Sequence, residues 1–240
     1  MDTTFKALSV LLSYPSEELK AAAGEISEAI EKDSRLSSFI KMQLHKLLSE
    51  LATRDLYDLQ ERYVLLFDRT RSLSLHLFEH VHGESRDRGQ AMIDLKQMYE
   101  KHDLEIGASE LPDFIPVFLE YLAVIPAAEG QEMIGQPAHI FAVLAERLRK
   151  RHSSYEAVFR ALVALASVKL DDEVVSTLLR EPDPDATDLK ALDAAWEDQP
   201  VTFGPGAASC KDELIAKIRA GRRPAPGLAV SPNRPTISHS

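Results

Sequence analysis

Two histidines and a glutamate supply the one pattern in this chain that matches a catalytic motif. The run His76-Leu77-Phe78-Glu79-His80 has the form HxxEH, the order found in the inverted zinc peptidases. On an α-helix, histidines four positions apart share a face and can hold Zn²⁺, with Glu79 as the general base. The sequence therefore leaves a zinc-dependent hydrolase open. Such an enzyme also needs a third ligand and a framework of strands, and the chain shows no strand pattern.

Other catalytic and cofactor motifs are missing from the sequence. No glycine-rich run precedes a Lys-Ser or Lys-Thr pair, and no GxSxG nucleophile elbow occurs. The single cysteine, Cys210, excludes an internal disulfide and any metal site built on several cysteines. Apart from the HxxEH alternative, we therefore expect no catalytic residues, no metal site and no stoichiometrically bound cofactor.

Polar residues are dense between residues 79 and 88, directly after a run of apolar ones. These ten positions hold three acids, two arginines and two histidines. A solvated helix start with surface salt bridges would explain this composition. The leucines that precede it, together with Phe78 and Val81, favour instead a polar cluster at the mouth of an apolar groove.

Aromatic residues recur at helical spacing in two parts of the chain. These residues are Tyr63, Phe67 and Phe78, followed by Phe114, Phe118 and Tyr121. Such spacing is typical of core packing, and it is equally typical of a groove that receives an amphipathic helix. Periodicity alone does not separate the two roles.

Helices are the elements that must position these residues. Apolar residues recur at three- and four-residue spacing from Phe5 to Leu165, and no stretch combines alternation with β-branched enrichment. The spacing predicts a helix over Leu73–Val81 and another that starts within residues 109–112. Ser16 is placed to cap a helix. We predict an all-α fold, a single helical-bundle domain of about eight to ten helices with a flexible C-terminal tail.

Composition divides the chain into three parts. Residues 1–168 carry the periodic apolar pattern and are predicted to form the helical domain. Residues 169–203 are acidic and are expected to be peripheral, with a short helix near Ala191–Trp196. Residues 204–240 are rich in proline and glycine, turn basic from Lys211, and are expected to be largely disordered.

The chain is strongly acidic, with 28 Lys and Arg against 38 Asp and Glu, a net charge of −10. This charge disfavours nucleic acid and anionic lipid as partners and favours a basic one. No apolar run approaches the roughly 20 residues of a membrane span, and the first residues lack the features of a signal peptide. Together with the lone cysteine, these observations predict a cytoplasmic location without stable membrane insertion.

Two short motifs and one long run carry a family resemblance. Tyr63–Phe67 matches the Y/F/W-x-x-L-F motif of the TorD/DmsD redox-enzyme maturation chaperones. Glu110–Asp113 matches their E-x-P-D-H motif up to its last position, where Phe114 replaces the usual histidine. The run Leu77–Met92 resembles the NarJ-type branch, the assembly chaperones of respiratory nitrate reductase. The resemblance extends over residues 11–203, most of the chain.

The resemblance implies an all-helical chaperone of anaerobic respiration and nitrate assimilation that is not an enzyme. Proteins of this kind bind the N-terminal, leader-like segment of the nitrate reductase catalytic (α) subunit. They hold the apo-subunit competent for insertion of the molybdenum cofactor, bis-molybdopterin guanine dinucleotide, and for iron–sulfur loading, and then release it for membrane attachment. Proteins of molybdenum cofactor biosynthesis are further candidate partners. Monomer and dimer both remain open.

The resemblance also implies where the client peptide binds. Its apolar face is expected in a client-peptide groove formed by Tyr63, Leu66, Phe67, Phe78, Phe114 and Phe118. Its basic residues are expected to meet acids such as Asp68, Glu79, Glu84 and Asp113. These acids belong to a polar cluster that also contains Arg69, His80, His82, Arg86, Asp87, Arg88 and Glu110.

The two histidines of this cluster, His80 and His82, have two possible roles. They predict a pH-dependent affinity, because histidine titrates near neutrality, and structural hydrogen bonding is the alternative. A third function, besides the chaperone and the hydrolase, is that of a structural subunit that stays in the mature reductase.

Overall fold

Eleven α-helices make up most of the part of the chain that the structure describes, and that part contains no strand. The computed structural model describes residues 1–81, 86–107, 110–181 and 183–184, with the backbone alone at positions 86 and 87. The helices are α1 Thr3–Leu11, α2 Glu17–Ala21, α3 Ala23–Lys32, α4 Ser38–Thr53, α5 Leu56–Tyr63, α6 Arg86–Glu100, α7 Ile115–Val124, α8 Ala127–Gly135, α9 Ala138–Lys150, α10 Glu156–Ala166 and α11 Asp172–Leu179.

The prediction of an all-α fold is confirmed, with more helices than the spacing indicated. The helix that Ser16 was predicted to cap is divided at Ala22 into α2 and α3, and α8 and α11 were not predicted. Ser16 caps α2 as predicted, because its hydroxyl accepts a hydrogen bond from the Leu19 amide at 3.2 Å.

Two helix pairs form the centre of the bundle. Helices α9 and α10 pack along each other, and α10 also contacts α4 and α8. Helix α1 packs along α7 and also contacts α3. Large side chains on these helices are removed from solvent, which is the main favourable term in folding. The largest of them include Leu8, Leu11, Leu44, Leu47, Tyr121, Phe141 and Phe159.

The predicted helix over Leu73–Val81 is wrong. Residues 64–81 form instead an irregular connecting segment between α5 and α6. The segment consists of a π-helical turn at Val64–Asp68, closed by a bond from the Arg69 amide to Val64 O, and 3₁₀ turns at Arg71–Leu73 and Leu77–Glu79.

The backbone of the connecting segment pairs with residues 113–115 instead of with itself. The Ile115 amide donates to Leu75 O at 2.8 Å, and the Leu77 amide donates to Asp113 O at 3.0 Å. These two bonds flank an isolated antiparallel bridge between His76 and Phe114. A helix over these residues would need the same backbone groups, so the tertiary pairing replaces it.

The same pairing delays the start of α7. The sequence predicted a helix start within residues 109–112, but α7 begins at Ile115, with Pro116 in its first turn. Proline is tolerated there because it lacks only an amide that would be unpaired in any case. Asp113 and Phe114 are held outside the helix by their contacts with the connecting segment.

Helix α11 lies beyond the predicted domain boundary at residue 168. It packs on α9 and buries Leu178, so the helical body continues at least to Leu179. The short helix predicted near Ala191–Trp196 and the tail 204–240 lie outside the described residues. Within the described ranges, no helix is both long and apolar enough to cross a membrane.

Candidate functional site

Asp113 is the residue that holds the connecting segment against the start of α7. Its side chain is fully buried, with no exposed surface. One carboxylate oxygen accepts a hydrogen bond from the Phe78 amide at 3.1 Å, and the other lies 3.1 Å from His76 Nδ1, which donates to it. The predicted cluster member Asp113 is thus a structural clamp on residues 76–78.

Charged side chains surround this clamp. The Arg88 guanidinium lies 3.4 Å from Glu79 Oε1 and 3.9 Å from Asp113 Oδ2. Partial burial raises the pKa of Asp68, and the charge of His76 opposes that rise. The structure therefore brings four predicted residues, Asp68, Glu79, Arg88 and Asp113, together around His76.

Four of the six predicted groove residues lie in the interior. Tyr63, Leu66, Phe67 and Phe118 are buried, and the ring of Phe67 packs 4.9 Å from that of Tyr63 and 5.1 Å from that of Tyr155. The Tyr63 hydroxyl donates to Leu12 O at 2.9 Å. These aromatic rings pack against other side chains of the same chain, so they are core residues in the free protein.

Phe78 and Phe114 are the half-buried members of the predicted groove. Phe114 lies against His76, with 5.3 Å between ring centroids, and the Phe78 amide is bound by Asp113. The aromatic surface that a partner can contact directly therefore adjoins the Asp113 clamp. The client site itself remains a prediction, with Phe78 and Phe114 as its accessible part.

The other predicted cluster residues are dispersed or undescribed. His80 is buried, and its Nε2 donates to Ser74 O at 2.8 Å, so it faces the interior. Arg69 and Glu110 are exposed. His82 and Glu84 lie outside the described residues, and so do the side chains of Arg86 and Asp87.

The HxxEH pattern does not lie on an α-helix, so the helical geometry that the hydrolase alternative requires is absent at residues 76–80. Residues 77–79 form a 3₁₀ turn, His76 is paired with Asp113, and His80 is bonded to the backbone at Ser74. The two histidines therefore do not share a helical face. In the ranges that the structure describes, no three His, Cys, Asp or Glu side chains are grouped so that they could hold a metal ion.

Sequence reasoning missed three residues that support the site. His76 was considered only as a zinc ligand, although it pairs with Asp113. Tyr99 is buried, and its hydroxyl donates to Pro112 O at 2.8 Å, next to the clamp. Arg147 reaches the connecting segment from α9 and donates to Ser72 O at 2.8 Å. One available signal was the Ser-Leu-Ser-Leu-His-Leu alternation over 72–77, which is typical of an extended segment.

The burial of His80 predicts that stability depends on pH. Burial lowers the pKa of His80 below its ordinary value of 6.5, although its bond to Ser74 O opposes the shift. Well above pH 6.5 the imidazole is neutral in both the folded and the unfolded chain, so it does not make the free energy of unfolding depend on pH. Below pH 6.5 the unfolded chain binds a proton that the folded chain does not, so the free energy of unfolding falls by up to about 1.4 kcal/mol per pH unit until the folded pKa is reached.

Chemical denaturation between pH 7.5 and 5 measures this slope. The matched variant is His80→Gln, because a glutamine amide can still donate to Ser74 O but does not titrate. We expect the wild type to lose more stability than His80→Gln as the pH falls from 6.5. Equal losses in the two proteins would show that His80 does not cause the dependence.

Comparisons with known proteins identify a family that agrees with the motifs at residues 63–67, 77–92 and 110–113. Residues 16–161 match the family described as nitrate reductase delta subunit. The chain is 44% identical over 196 residues to the nitrate reductase molybdenum cofactor assembly chaperone NarJ of Escherichia coli strain K12, covering 82% of this chain and 83% of that protein. It is 40% identical over 199 residues to NarW of the same strain, proposed to be another such chaperone, covering 82% of each. A solved structure from Archaeoglobus fulgidus, of a proposed redox enzyme maturation protein, covers 68% of this chain and 91% of its own, at 23% identity and a TM-score of 0.49.

Proposed function

The chain belongs to the nitrate reductase delta subunit family, and we propose that it is a molybdenum cofactor assembly chaperone for a nitrate reductase. The 44% identity to NarJ, over more than four fifths of both chains, supports this role. The proposed activity is binding without catalytic turnover, in the cytoplasm. The molybdenum cofactor is cargo for the client and not a resident group of this chain.

The proposed client is the N-terminal, leader-like segment of the apo catalytic (α) subunit. One observation carries this part of the proposal: the Asp113 clamp binds half-buried Phe78, the neighbour of Glu79, and also binds His76, which packs on half-buried Phe114 and interacts with the charge of Asp68. An aromatic surface beside carboxylates suits an amphipathic helix with basic residues. The net charge of −10 favours encounter with such a segment.

The proposed mechanism is a shift of population in the client. A chaperone that binds the open apo-subunit more tightly than the closed one raises the open fraction by its difference in affinity. The open subunit then remains accessible to the molybdenum cofactor and to iron–sulfur loading. Release before membrane attachment follows when the mature subunit no longer presents the bound segment.

Titration calorimetry with a synthetic peptide of the first 15–30 residues of the cognate α subunit tests the client proposal. We expect saturable binding with a negative heat-capacity change, the sign that burial of apolar surface gives. Phe114→Ala should weaken binding about tenfold, because truncating an aromatic contact at the centre of an interface commonly costs more than about 1 kcal/mol.

Tyr57→Ala is the matched control for Phe114→Ala. Tyr57 is 79% exposed on α5, outside the clamp region, so its removal should leave the peptide affinity unchanged. Circular dichroism on both variants checks that the helices are retained. Absence of saturable binding by a folded wild type would contradict the proposed client segment, and equal affinities of the two variants would contradict the site.

A further inference from the structure

Arg147 joins two backbone segments that are distant in sequence. The side chain lies on α9 and is only 2% exposed. Its Nη1 donates to Ser72 O in the connecting segment at 2.8 Å, and its Nη2 donates to Leu178 O at the end of α11 at 3.0 Å. One guanidinium therefore fixes the distance between the connecting segment and α11.

Burying the charged side chain of Arg147 costs free energy of desolvation, and its surroundings compensate this cost only in part. Both direct acceptors are backbone carbonyls, and its buried Nε has no hydrogen-bond partner in the ranges that the structure describes. Burial lowers the pKa of Arg147, and the charges of Asp183 and Glu181 only partly compensate. A buried charge of this kind commonly adds little net stability compared with an apolar side chain of similar size. The role of Arg147 is better explained by geometry, because the planar guanidinium holds the carbonyl groups of Ser72 and Leu178 in fixed positions.

Ser72 is a sensitive point for such an anchor. It lies in the 3₁₀ turn Arg71–Leu73, and the chain pairs with residues 113–115 only three positions later. The internal hydrogen bonds of the connecting segment close short single turns, as from the Leu73 amide to Thr70 O, so we expect bonds to other parts of the chain to determine its position. Asp113 binds the segment at Phe78, and Arg147 binds it six residues earlier, at Ser72.

Helix α11 packs on α9 and is also held by polar bonds near its two ends. The Asp171 amide donates to His139 Nε2 at 2.9 Å, and Arg151 Nη2 donates to Asp183 Oδ1 at 2.6 Å. Leu178 is the one buried residue of this helix. Few buried apolar contacts are typical of elements with low local stability.

We propose that Arg147 is a positioning residue for client binding, which holds the connecting segment in place and couples it to the docking of α11. The Asp113 clamp and the Arg147 anchor together fix the backbone of residues 72–78, which carries Phe78 and places His76 against Phe114. Loosening either α11 or Arg147 releases Ser72 and lowers the population of the binding-competent segment. This inference rests on the proposed function, because it assumes that the client binds at Phe78 and Phe114.

Hydrogen exchange on the full chain, combined with peptide titration, tests the proposal. In Arg147→Met, amides of residues 71–81 should exchange about tenfold faster than in the wild type, while those of α1 and α7 keep their rates. The client peptide should bind about tenfold more weakly. The matched control on the same helix is Arg149→Met, because Arg149 is exposed and pairs with Glu146 three positions earlier. It should change neither quantity.

A variant of matched stability separates positioning from general destabilisation. Ile134→Ala removes a fully buried side chain on α8, a helix that packs on α7 and α10, and its Tm can be compared with that of Arg147→Met. The proposal requires a larger loss of affinity in Arg147→Met than in Ile134→Ala at equal loss of Tm. Equal losses of affinity would overturn it.

A second route tests the coupling if Arg147→Met does not fold. Val175→Pro removes the amide that donates to Asp171 O and so disrupts α11 without touching the connecting segment. Faster exchange of residues 71–81 in this variant supports the coupling, and unchanged exchange overturns it. A folded wild type that fails to bind the peptide would refute the proposed client, while the exchange result still decides whether Arg147 and α11 position the segment.

Discussion

Replacing Asp113 by alanine is expected to lower the free energy of unfolding by about 3 kcal/mol and to weaken client-peptide binding between about 10- and 100-fold. The substitution leaves the Phe78 amide and the His76 imidazole without their buried acceptor. It also removes the negative charge that lies 3.9 Å from Arg88. Because these groups hold residues 76–78 in place, both stability and affinity depend on the same carboxylate. Urea denaturation and peptide calorimetry on the same preparation measure the two effects.

Two further variants show what the carboxylate of Asp113 contributes. Asp113→Asn keeps the volume and one acceptor oxygen, so it should retain the Phe78 bond and lose less stability than the alanine variant. Asp58→Ala removes an exposed aspartate in the first turn of α5, so it should lower the free energy of unfolding by less than about 1 kcal/mol and leave the peptide affinity unchanged. An Asp113→Ala protein with wild-type affinity and stability would contradict the role of the clamp.

Replacing Phe67 by alanine should produce the largest loss of stability among the predicted groove residues, about 3–5 kcal/mol. The ring is buried between Tyr63 and Tyr155, at centroid distances of 4.9 and 5.1 Å, and its removal leaves a cavity among aromatic neighbours. Burial raises the pKa of Tyr155 to about 12, which agrees with an apolar environment on that side of the cluster. The peptide affinity of the folded fraction should change less than about threefold, because a buried ring makes no direct contact with a partner.

Phe67→Leu is the control for this cavity, because it keeps most of the apolar volume. Its loss of stability should be well below that of the alanine variant, about 1–2 kcal/mol. Thermal denaturation gives the order of stability, and calorimetry below the transition gives the affinity. A tenfold loss of affinity in Phe67→Ala without any loss of Tm would mean that the ring contacts the client directly and is not mainly a core residue.

The helical periodicity was sufficient to predict the fold class, because most helices of the bundle bury the apolar residues that recur at helical spacing. Phe5, Leu8 and Leu12 recur at helical spacing and are buried in the pair of α1 with α7. Periodicity failed in the connecting segment because its backbone hydrogen bonds are made to residues 113–115. Short apolar runs do not distinguish a buried helix from an extended segment by their own pattern.

The candidate site was predicted in part because a motif contains Asp113, but its partners could not be derived from local spacing. His76 and Asp113 are 37 positions apart, and Arg147 and Ser72 are 75 apart. Contacts of that separation depend on how helices pack, which the spacing of single helices does not determine. The motif aromatics Tyr63 and Phe67 were predicted to line a groove, and their burial became evident only from their packing with Tyr155, the residue that precedes α10.

The π-helical turn at Val64–Asp68 has a consequence for how insertions and deletions act on this chain. A turn closed between residue i and i+5 contains one residue more than an α-helical turn, and each α-helical residue advances the chain by about 100°. Loss of one residue within 64–68 would therefore restore α-helical phase and rotate everything that follows by about that angle. Asp68 would then turn away from His76, although every side chain of the cluster would still be present in the sequence. The length of this turn, in addition to the identity of its residues, is therefore part of what specifies the site.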